Sequence, residues 1–294
     1  MLVVKYIGGL GNQLFQLAFV LELRERGYKV FEDITDYRYY DRHQGFEVDK
    51  VFDIQIKHVD VKNLSRLRSD YPSVINKIKS KLLGGVKLKS THIFQNNFDF
   101  SKIENQKDYY LEGYWQNCNT YLIKDNLRSF IKFKSFSLST KNKNVLECIN
   151  SSNSVGVHIR RGDYLNKENI SHFEQVGVEY YLKAKEIIQS KLKDNVQFFF
   201  FSDDIDFVKS NYDWGCNVKY IDWNVGDKSY LDMYLMANCK GLIIPNSTFS
   251  WWAGILGKDK KHVVAPKYWW QDREKDNDIY LPNKWNLVDN RLNL

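Results

Sequence analysis

Short apolar runs alternate with helical segments between residues 155 and 265, and this alternation constrains the fold more than any other feature of the chain. Residues 196–201 (VQFFFF) form the type of run expected for a strand that is buried on both faces. The segments between the runs carry apolar residues at helical spacing. Regular alternation of this kind predicts an α/β fold with a doubly wound parallel sheet. The other apolar runs are residues 155–159, 218–221, 241–244 and 262–265.

The first residues of the chain predict the same kind of unit. Residues 2–7 are apolar and β-branched, a glycine turn follows at residues 8–11, and leucines then recur at helical spacing. We expect residues 28–31 to form the next strand, which completes a βαβ unit. Between residues 33 and 143 the pattern is weaker, apart from a strand-like run at residues 109–111.

A polar, turn-prone stretch at residues 150–154 separates the two patterns. The chain has 294 residues, which is enough for two domains or for one large α/β unit. We therefore predict an N-terminal domain at residues 1–150 and a C-terminal domain at residues 151–294.

The charge balance favours anionic partners. Lysine and arginine together number 43 against 36 acidic residues, which gives a formal charge of +7. Nucleotides fit this balance, and so does nucleic acid, because 15% of the residues are aromatic and could stack on bases. A nucleic-acid-binding protein is therefore the alternative function. The basic residues do not concentrate on one element, which counts against it.

The cysteines and the N-terminus bear on location. The four cysteines show neither a CxxC pair nor a spacing suited to zinc, so we expect reduced thiols and no structural metal. The apolar start of the chain is far shorter than the ~20 residues needed to span a bilayer. These features predict a soluble cytoplasmic protein, with peripheral membrane contact still allowed.

A charged cluster follows the strand predicted at residues 155–159. Because side chains alternate along a strand, His158 and Arg160 are expected on one face and Arg161 on the other, toward Asp163 or a neighbouring loop. A guanidinium at a strand end is a rigid fork for phosphate oxygens. The alternative is that both arginines are surface residues paired with Asp163.

Polar residues also follow two other predicted strands. Ser247 or Thr248 could cap the helix that begins near residue 249, and the same helix start could bind a phosphate. At residues 202–204, Ser202 or Asp203 could cap the next helix, which we favour over chelation of a divalent ion. Ligands of parallel sheets bind where such strand ends meet.

The glycine turn near the N-terminus differs from a dinucleotide fingerprint. It lacks the third glycine of GxGxxG, and no acidic residue closes the following strand at the usual spacing. Asn12 and Gln13 instead place amides at the helix start, where we expect them to face a cleft.

Four motifs occur in order along the chain: GGLGNQLFQ at residues 8–16, HIRRGDY at 158–164, FSDD at 201–204 and NSTFSWW at 246–252. Together they resemble the α-1,2-fucosyltransferases of bacterial surface-polysaccharide and oligosaccharide synthesis. The resemblance implies a GT-B-like fold with two Rossmann-like domains facing a central cleft, the first on the acceptor side and the second binding GDP-fucose. It also implies inversion at the anomeric carbon, no metal and no cofactor besides the donor.

The expected reaction is transfer of L-fucose to a galactoside-type acceptor, an oligosaccharide or a lipid-linked glycan, with no role for nucleic acid. Arg160 would stabilise the negative charge that grows on the β-phosphate. Asp232 would be a partner of the guanine base. The other residues expected to contact the donor are Gly11, Asn12, Gln13, His158, Asp203, Asn246, Ser247, Thr248 and Ser250.

The acceptor hydroxyl must lose a proton during transfer. Asp163 is the nearest motif carboxylate that could take it, and Glu168 is the second choice. Either acid could instead form a salt bridge with Arg161 or Lys167. A mechanism without an enzyme base also stays open.

Overall fold

The computed structural model describes residues 1–39, 43–70, 88–104, 106–117, 127–162, 167–192, 195–212, 214–257, 262–275 and 277–291. The chain divides into two compact units, Met1–Leu127 and Arg128–Leu294. The boundary therefore lies before the predicted one at residue 150. The reason is a helix at Thr140–Ser151 that buries Val145 and Ile149 within the second unit.

The first unit is built on a parallel sheet with the strand order β2-β1-β4-β3. The predicted strand–turn–helix start is present, although the second strand begins two residues later than expected, at Val30. The strands are β1 (Leu2–Lys5), β2 (Val30–Asp33), β3 (His92–Phe94) and β4 (Tyr109–Glu112). The helices are α1 (Leu10–Glu25), α2 (Val48–Val51) and α3 (Val61–Leu67), with α4 (Leu127–Phe130) at the boundary.

The second unit contains a parallel sheet with the order β10-β9-β8-β5-β6-β7. All five strands predicted from the apolar runs are present, and β10 is an additional one. The strands are β5 (Asn153–Ile159), β6 (Val196–Ser202), β7 (Val218–Ile221), β8 (Gly241–Ile243), β9 (His262–Pro266) and β10 (Asn286–Val288). The helices are α5 (Thr140–Ser151), α6 (Lys167–His172), α7 (Val178–Leu192), α8 (Ile205–Asn211), α9 (Tyr230–Asn238) and α10 (Thr248–Leu256).

The two faces of β5 are both buried, as the apolar pattern predicts. On one face Val155, Val157 and Ile159 pack into a core that includes Ile188 of α7. On the other face Gly156 lies so close to Leu242 that a Cβ atom added to it would be 2.8 Å from the leucine Cδ1. Each large apolar side chain buried in this way stabilises the fold by about 1.5–3 kcal/mol.

The connections of the second sheet run in two directions from its middle. From β5 the chain moves through β6 to β7, and it then returns to the other side of β5 for β8, β9 and β10. The switch point of this doubly wound sheet is therefore between β5 and β8. Ligands of such sheets bind outside the carboxyl ends of the strands at this point. In the described part of the chain, no helix is both long and apolar enough to cross a membrane.

Candidate functional site

Three predicted polar clusters meet at the carboxyl edge of the second sheet. Arg160 directly follows β5, which is flanked by β6 and β8. Asp203 follows β6, and Ser247 follows β8 at the start of α10. The sequence prediction that these strand ends are neighbours is confirmed by the strand order.

The two adjacent arginines have different surroundings. Arg160 is half-buried, and its positive charge acts on His158. Arg161 turns to the neighbouring loop, where its Nε lies 3.2 Å from Asp204 Oδ2. Its guanidinium carbon also lies 3.2 Å from the ring centroid of Phe207. Arg161 thus links the end of β5 to α8. This agrees with the prediction that its side chain points to a neighbouring loop, away from the face that carries Arg160.

Asp203 holds the backbone of the turn that carries the arginines. Its Oδ1 accepts from the N–H of Arg161 at 2.9 Å, and its Oδ2 accepts from the N–H of Gly162 at 2.9 Å. A Cβ atom at residue 162 would lie 2.7 Å from Oδ2, so the close approach requires glycine. Asp203 was expected to contact the donor or to cap a helix. It positions the turn and does not cap α8, and its contact with the donor stays a prediction.

The cap of helix α8 is Asp204, one residue after the predicted position. Its side chain accepts a hydrogen bond from the N–H of Phe207 at 3.2 Å. Ser202 supports it, because the Ser202 hydroxyl accepts from the N–H of Asp204 at 3.0 Å. The cap interpretation of this motif was therefore right in kind, but the residue was wrong.

His158, near the end of β5, contacts helix α10, which follows β8. Its Nδ1 lies 2.8 Å from the hydroxyl of Ser250, which also donates to the carbonyl oxygen of Ser247 at 3.4 Å. Burial, helped by the charge of Arg160, lowers the pKa of His158 to about 3, so the ring is neutral. The other ring nitrogen, Nε2, makes no hydrogen bond to the described residues.

The start of α10 contains a buried hydroxyl without a partner. Ser247 occupies the N-cap position in an extended conformation, but its side chain makes no capping hydrogen bond. Its Oγ is fully buried and has no hydrogen-bond partner within the described residues. Leaving such a group unpaired costs about 1–3 kcal/mol. The helix begins at the half-buried Thr248, whose free backbone N–H suits an anion.

Asn246 is committed to the fold. Its side-chain amide donates to the carbonyl oxygens of Glu174 at 2.8 Å and Trp269 at 3.0 Å. Both amide hydrogens are therefore used, and the residue is almost fully buried. Asn246 therefore anchors the turn that leads into α10, and its contact with the donor stays a prediction.

Asp232 lies in the first turn of α9 next to a pair of buried amides. Asn224 donates to its Oδ1 at 2.8 Å, and Asn224 in turn pairs with Asn142 of α5 at 2.8 Å and 3.2 Å. Burial raises the pKa of Asp232 to about 7, against the hydrogen bond from Asn224. This carboxyl group is therefore held by a fixed amide and can accept further hydrogen bonds.

In the first unit, Gln13 ties the start of α1 to two neighbouring segments. Its amide donates to the carbonyl oxygens of Gly8 at 3.1 Å and Gly45 at 2.8 Å, and it accepts from the N–H of Glu47 at 2.9 Å. These bonds give Gln13 a structural role, and its contact with the donor stays a prediction. Asn12 is half-buried, and its Oδ1 accepts from the side chain of Gln116 at 2.9 Å, while Gly11 is buried.

A network of charged side chains lies at the carboxyl edge of the first sheet. It was not predictable from the sequence, because its members are far apart in the chain. Arg68 contacts Asp36 and Asp70, in each case at 2.7 Å. Lys5 lies 2.9 Å from Glu112. Asp36 and Glu112 are half-buried and Asp70 is exposed. With these three carboxylates around two cations, the network holds the ends of β1 and β4 together.

Three members of this network, Asp70, His92 and Glu112, place possible metal ligands within 4.8 Å of one another. The His92 Nδ1 accepts from the N–H of Ser69 at 3.2 Å, so its Nε2 carries the proton and donates to Glu112 Oε2 at 3.0 Å. The one lone pair of the ring in this tautomer is on Nδ1 and is already used by the N–H of Ser69, so the nitrogen that faces Glu112 has none to offer a metal. Because the Lys5 ammonium also binds Glu112, the group fits an ion-pair network better than a metal site.

The two predicted bases are not described. Asp163 lies outside the described residues, and Glu168 lies in α6 with a side chain that is also outside them. Both therefore stay predictions.

Comparison with known proteins identifies relatives along most of the chain. Residues 63–289 match the family model described as glycosyl transferase family 11. An alpha-1,2-colitosyltransferase of Escherichia coli is 31% identical over 96% of this chain and 97% of its own length. The O-antigen biosynthesis glycosyltransferase WbnK of Escherichia coli is 28% identical over 91% of this chain and 94% of its own length.

Solved structures share the fold at low sequence identity. The fucosyltransferase NodZ from Bradyrhizobium gives a TM-score of 0.51 at 16% identity, over 87% of this chain and 92% of that one. POFUT1 in complex with GDP-fucose gives 0.50 at 10% identity, over 90% of this chain and 96% of that one. The predicted GT-B-like α/β fold is thereby confirmed.

Proposed function

The chain belongs to glycosyl transferase family 11, and we propose that it transfers L-fucose from GDP-fucose to a galactoside-type glycan, forming an α-1,2 linkage with inversion. The observation that carries the proposal is the switch point of the second sheet. There, Arg160, the neutral His158 and the start of α10 lie at adjacent strand ends. The second unit would bind the donor, and the first unit would bind the acceptor.

The arrangement suits the charges that develop during transfer. As the bond between fucose and the β-phosphate breaks, negative charge grows on GDP and positive charge on the sugar ring. Arg160 provides a permanent cation for the phosphate oxygens. The N–H groups at the start of α10 and the unpaired hydroxyl of Ser247 provide hydrogen bonds to the same group. The Nε2 of His158, which has no partner among the described residues, could form a hydrogen bond with a hydroxyl group of GDP-fucose.

Asp232 is proposed to bind the guanine base. The edge of guanine offers N–H donors, and a carboxylate can accept two of them in parallel. Asn224 fixes the orientation of the Asp232 carboxyl group through a hydrogen bond of 2.8 Å. Burial raises the pKa of Asp232 to about 7. Hydrogen bonds from the guanine base to the ionised carboxylate would offset the free energy that its ionisation costs.

No metal takes part in the proposed step. Asp203 and Asp204, the residues of the motif that could chelate one, use their carboxylates on backbone N–H groups and on Arg161. The diphosphate charge is therefore assigned to Arg160 and to the start of α10.

A second donor is favoured by one relative. The alpha-1,2-colitosyltransferase at 31% identity transfers colitose, which lacks one hydroxyl group of fucose. The same site could take GDP-colitose, since both donors share the diphosphate and the base. Assays with both donors decide between them. Participation in surface-polysaccharide synthesis follows the O-antigen relative.

The test combines binding and transfer. Calorimetry with GDP in the presence of EDTA is expected to show binding to the wild-type protein and little binding to Arg160→Ala. The Arg66→Ala variant is the control, because that arginine is exposed and lies in the first unit. Mass spectrometry of β-galactoside acceptors then measures the added sugar. Binding that requires Mg²⁺ would overturn the metal-free assignment, and the absence of sugar transfer from either donor would overturn the function.

A further inference from the structure

The turn between β8 and α10 is held by backbone carbonyl groups of two other segments of the second unit. The Asn246 amide donates to the carbonyl oxygen of Glu174 at 2.8 Å and to that of Trp269 at 3.0 Å. The two segments are also joined to each other, since the N–H of Glu174 donates to the same Trp269 oxygen at 3.1 Å. The position of Asn246 therefore depends on the spacing between Glu174, which precedes α7, and Trp269, which follows β9.

Arg291, which follows β10, contacts both of these segments. Its Nε lies 2.7 Å from Oε2 of Glu174, whose side chain is 5% exposed, and its Nη2 donates to the carbonyl oxygen of Trp270 at 2.6 Å. The guanidinium carbon also lies 3.9 Å from the ring centroid of Tyr268. Because the planar guanidinium carries donors on several sides, one arginine can hold the two segments at a fixed spacing.

The turn that Asn246 anchors needs such support, because its conformation leaves a polar group unsatisfied. The Oγ of Ser247 is buried and has no hydrogen-bond partner among the described residues. A buried hydroxyl without a partner destabilises the conformation that contains it, so contacts elsewhere must compensate. The two bonds of Asn246 are contacts of this kind, and they keep Ser247 at the start of α10, where an anion can bind.

We propose that Arg291 is a positioning residue for the donor diphosphate, which rests on the proposed function. It acts on Asn246 through Glu174 and Trp270. The Ser247 hydroxyl and the first N–H groups of α10 are thereby held in the arrangement that binds phosphate. A site that already has its binding arrangement loses less conformational entropy when the ligand arrives, and its affinity is higher for that reason.

The main variant is Arg291→Ala, with GDP binding measured by calorimetry and transfer measured at varied donor concentration. We expect GDP affinity to fall by about 3- to 30-fold, and the KM for the donor to rise while the KM for the acceptor stays at its wild-type value. Arg291→Lys keeps a charge beside Glu174 but loses the planar fork, so its loss of GDP affinity should be smaller. All proteins are measured well below their melting temperatures, so that folded states are compared.

The matched control is Arg26→Ala in the first unit. Arg26 also pairs with a buried glutamate, Glu22, at 2.8 Å, and its guanidinium carbon also lies 3.9 Å from an aromatic centroid, that of Phe100. The substitution removes the same kinds of contact but leaves the segments that hold Asn246 unchanged. Its melting temperature should fall while its GDP affinity stays at the wild-type value. An equal loss of GDP affinity in Arg26→Ala and Arg291→Ala would overturn the proposal by showing a general effect of lower stability.

A double variant separates a positioning role from a merely structural one. Ser247→Ala removes a hydroxyl that has no partner within the described residues, so it should not lower the melting temperature. If Arg291 places this hydroxyl, the loss of GDP affinity in the double variant should be smaller than the product of the two single losses. The same cycle with Arg291→Lys decides the case if the alanine variant does not fold.

Two results would overturn the proposal and leave the proposed function intact. They are losses of GDP affinity that multiply in the double variant, and wild-type GDP affinity in both Arg291 variants. Failure of the wild-type protein to bind GDP would instead count against the proposed function.

Discussion

Single residues in this chain take roles that their neighbours do not share. Arg160 and Arg161 are adjacent, but the alternation of side chains at a strand end sends them to different surroundings. Arg161 is fixed by Asp204 and Phe207, whereas Arg160 stays at the switch point. The opposite faces were predictable from the sequence. The partner of Arg161 was not, because residues more than forty positions apart meet only through the pairing of β5 with β6.

A pair of lysine substitutions separates the roles of the two arginines. Arg160→Lys keeps the charge but loses the planar fork, so we expect weaker GDP binding and a kcat at least about tenfold lower, with an unchanged melting temperature. Arg161→Lys weakens the ion pair and the contact with Phe207, so it should lower stability by about 1 kcal/mol. Calorimetry and thermal unfolding of both variants give the comparison. If both variants changed GDP binding and the melting temperature to the same extent, the two arginines would not have separate roles.

Asp203 acts on the site through the backbone. In Asp203→Asn one of its two acceptor oxygens becomes an NH₂ group that faces a backbone N–H, at 2.9 Å in the wild-type protein. We expect a loss of about 1–3 kcal/mol in stability and weaker GDP binding, since the turn that carries Arg160 loosens. The Asp206→Asn variant is the control, because Asp206 lies on the same loop and helix without holding this turn. Unchanged GDP affinity in Asp203→Asn would show that the turn does not need this clamp.

At the scale of helices and strands, the sequence predicted the second unit better than the first. Five strands of the second sheet follow from apolar runs. In β5, β6, β8 and β9 the signal is nearly continuous because both faces of the strand are buried, whereas the edge strand β7 is only partly buried and has a shorter apolar pattern. The short strands β3 and β10 have three residues each and give no such signal. The donor side of the site was therefore predictable as a set of strand ends. The support from Arg291 was not, since its partner Glu174 lies 117 positions earlier in the chain.

The close packing of β5 against β8 at Gly156 can be tested by a substitution that adds one methyl group. In Gly156→Ala the new Cβ would lie 2.8 Å from Leu242 Cδ1 and 3.3 Å from Cys239 Sγ. Overpacking of this kind costs about 1–3 kcal/mol. In Gly177→Ala the Cβ would meet only the flexible end of Glu179, so this control should unfold like the wild-type protein. Denaturant unfolding of both variants checks the difference, and equal stability would contradict it.

At the scale of the whole molecule, the sequence predicted two parts but placed their boundary too late. The turn-prone residues 150–154 looked like a linker. In the structure helix α5 precedes them and packs in the second unit through Asn142, which pairs with Asn224. Local composition does not reveal this pairing, because the partner lies 82 positions further along the chain.

The stability of the molecule should depend on pH through Asp232. Its folded pKa of about 7 is above the ordinary value of 3.8, so its contribution is fully present below about pH 4 and is lost as the pH rises through 7. Asp232→Asn removes this loss. We therefore expect the variant to gain about 1–3 kcal/mol relative to the wild-type protein between pH 5 and pH 8. Urea unfolding of both proteins at pH 5 and pH 8 measures this change. If the difference in stability between variant and wild type were the same at both pH values, the raised pKa of Asp232 would be contradicted.

Each unit closes its own parallel sheet around its own apolar core. Each of the two sheets is therefore built from one continuous part of the chain. If the first unit binds the acceptor, as proposed, a directed-evolution library confined to the loops around residues 43–47 and 113–117 should change which glycan is modified without changing the nucleotide sugar that is used.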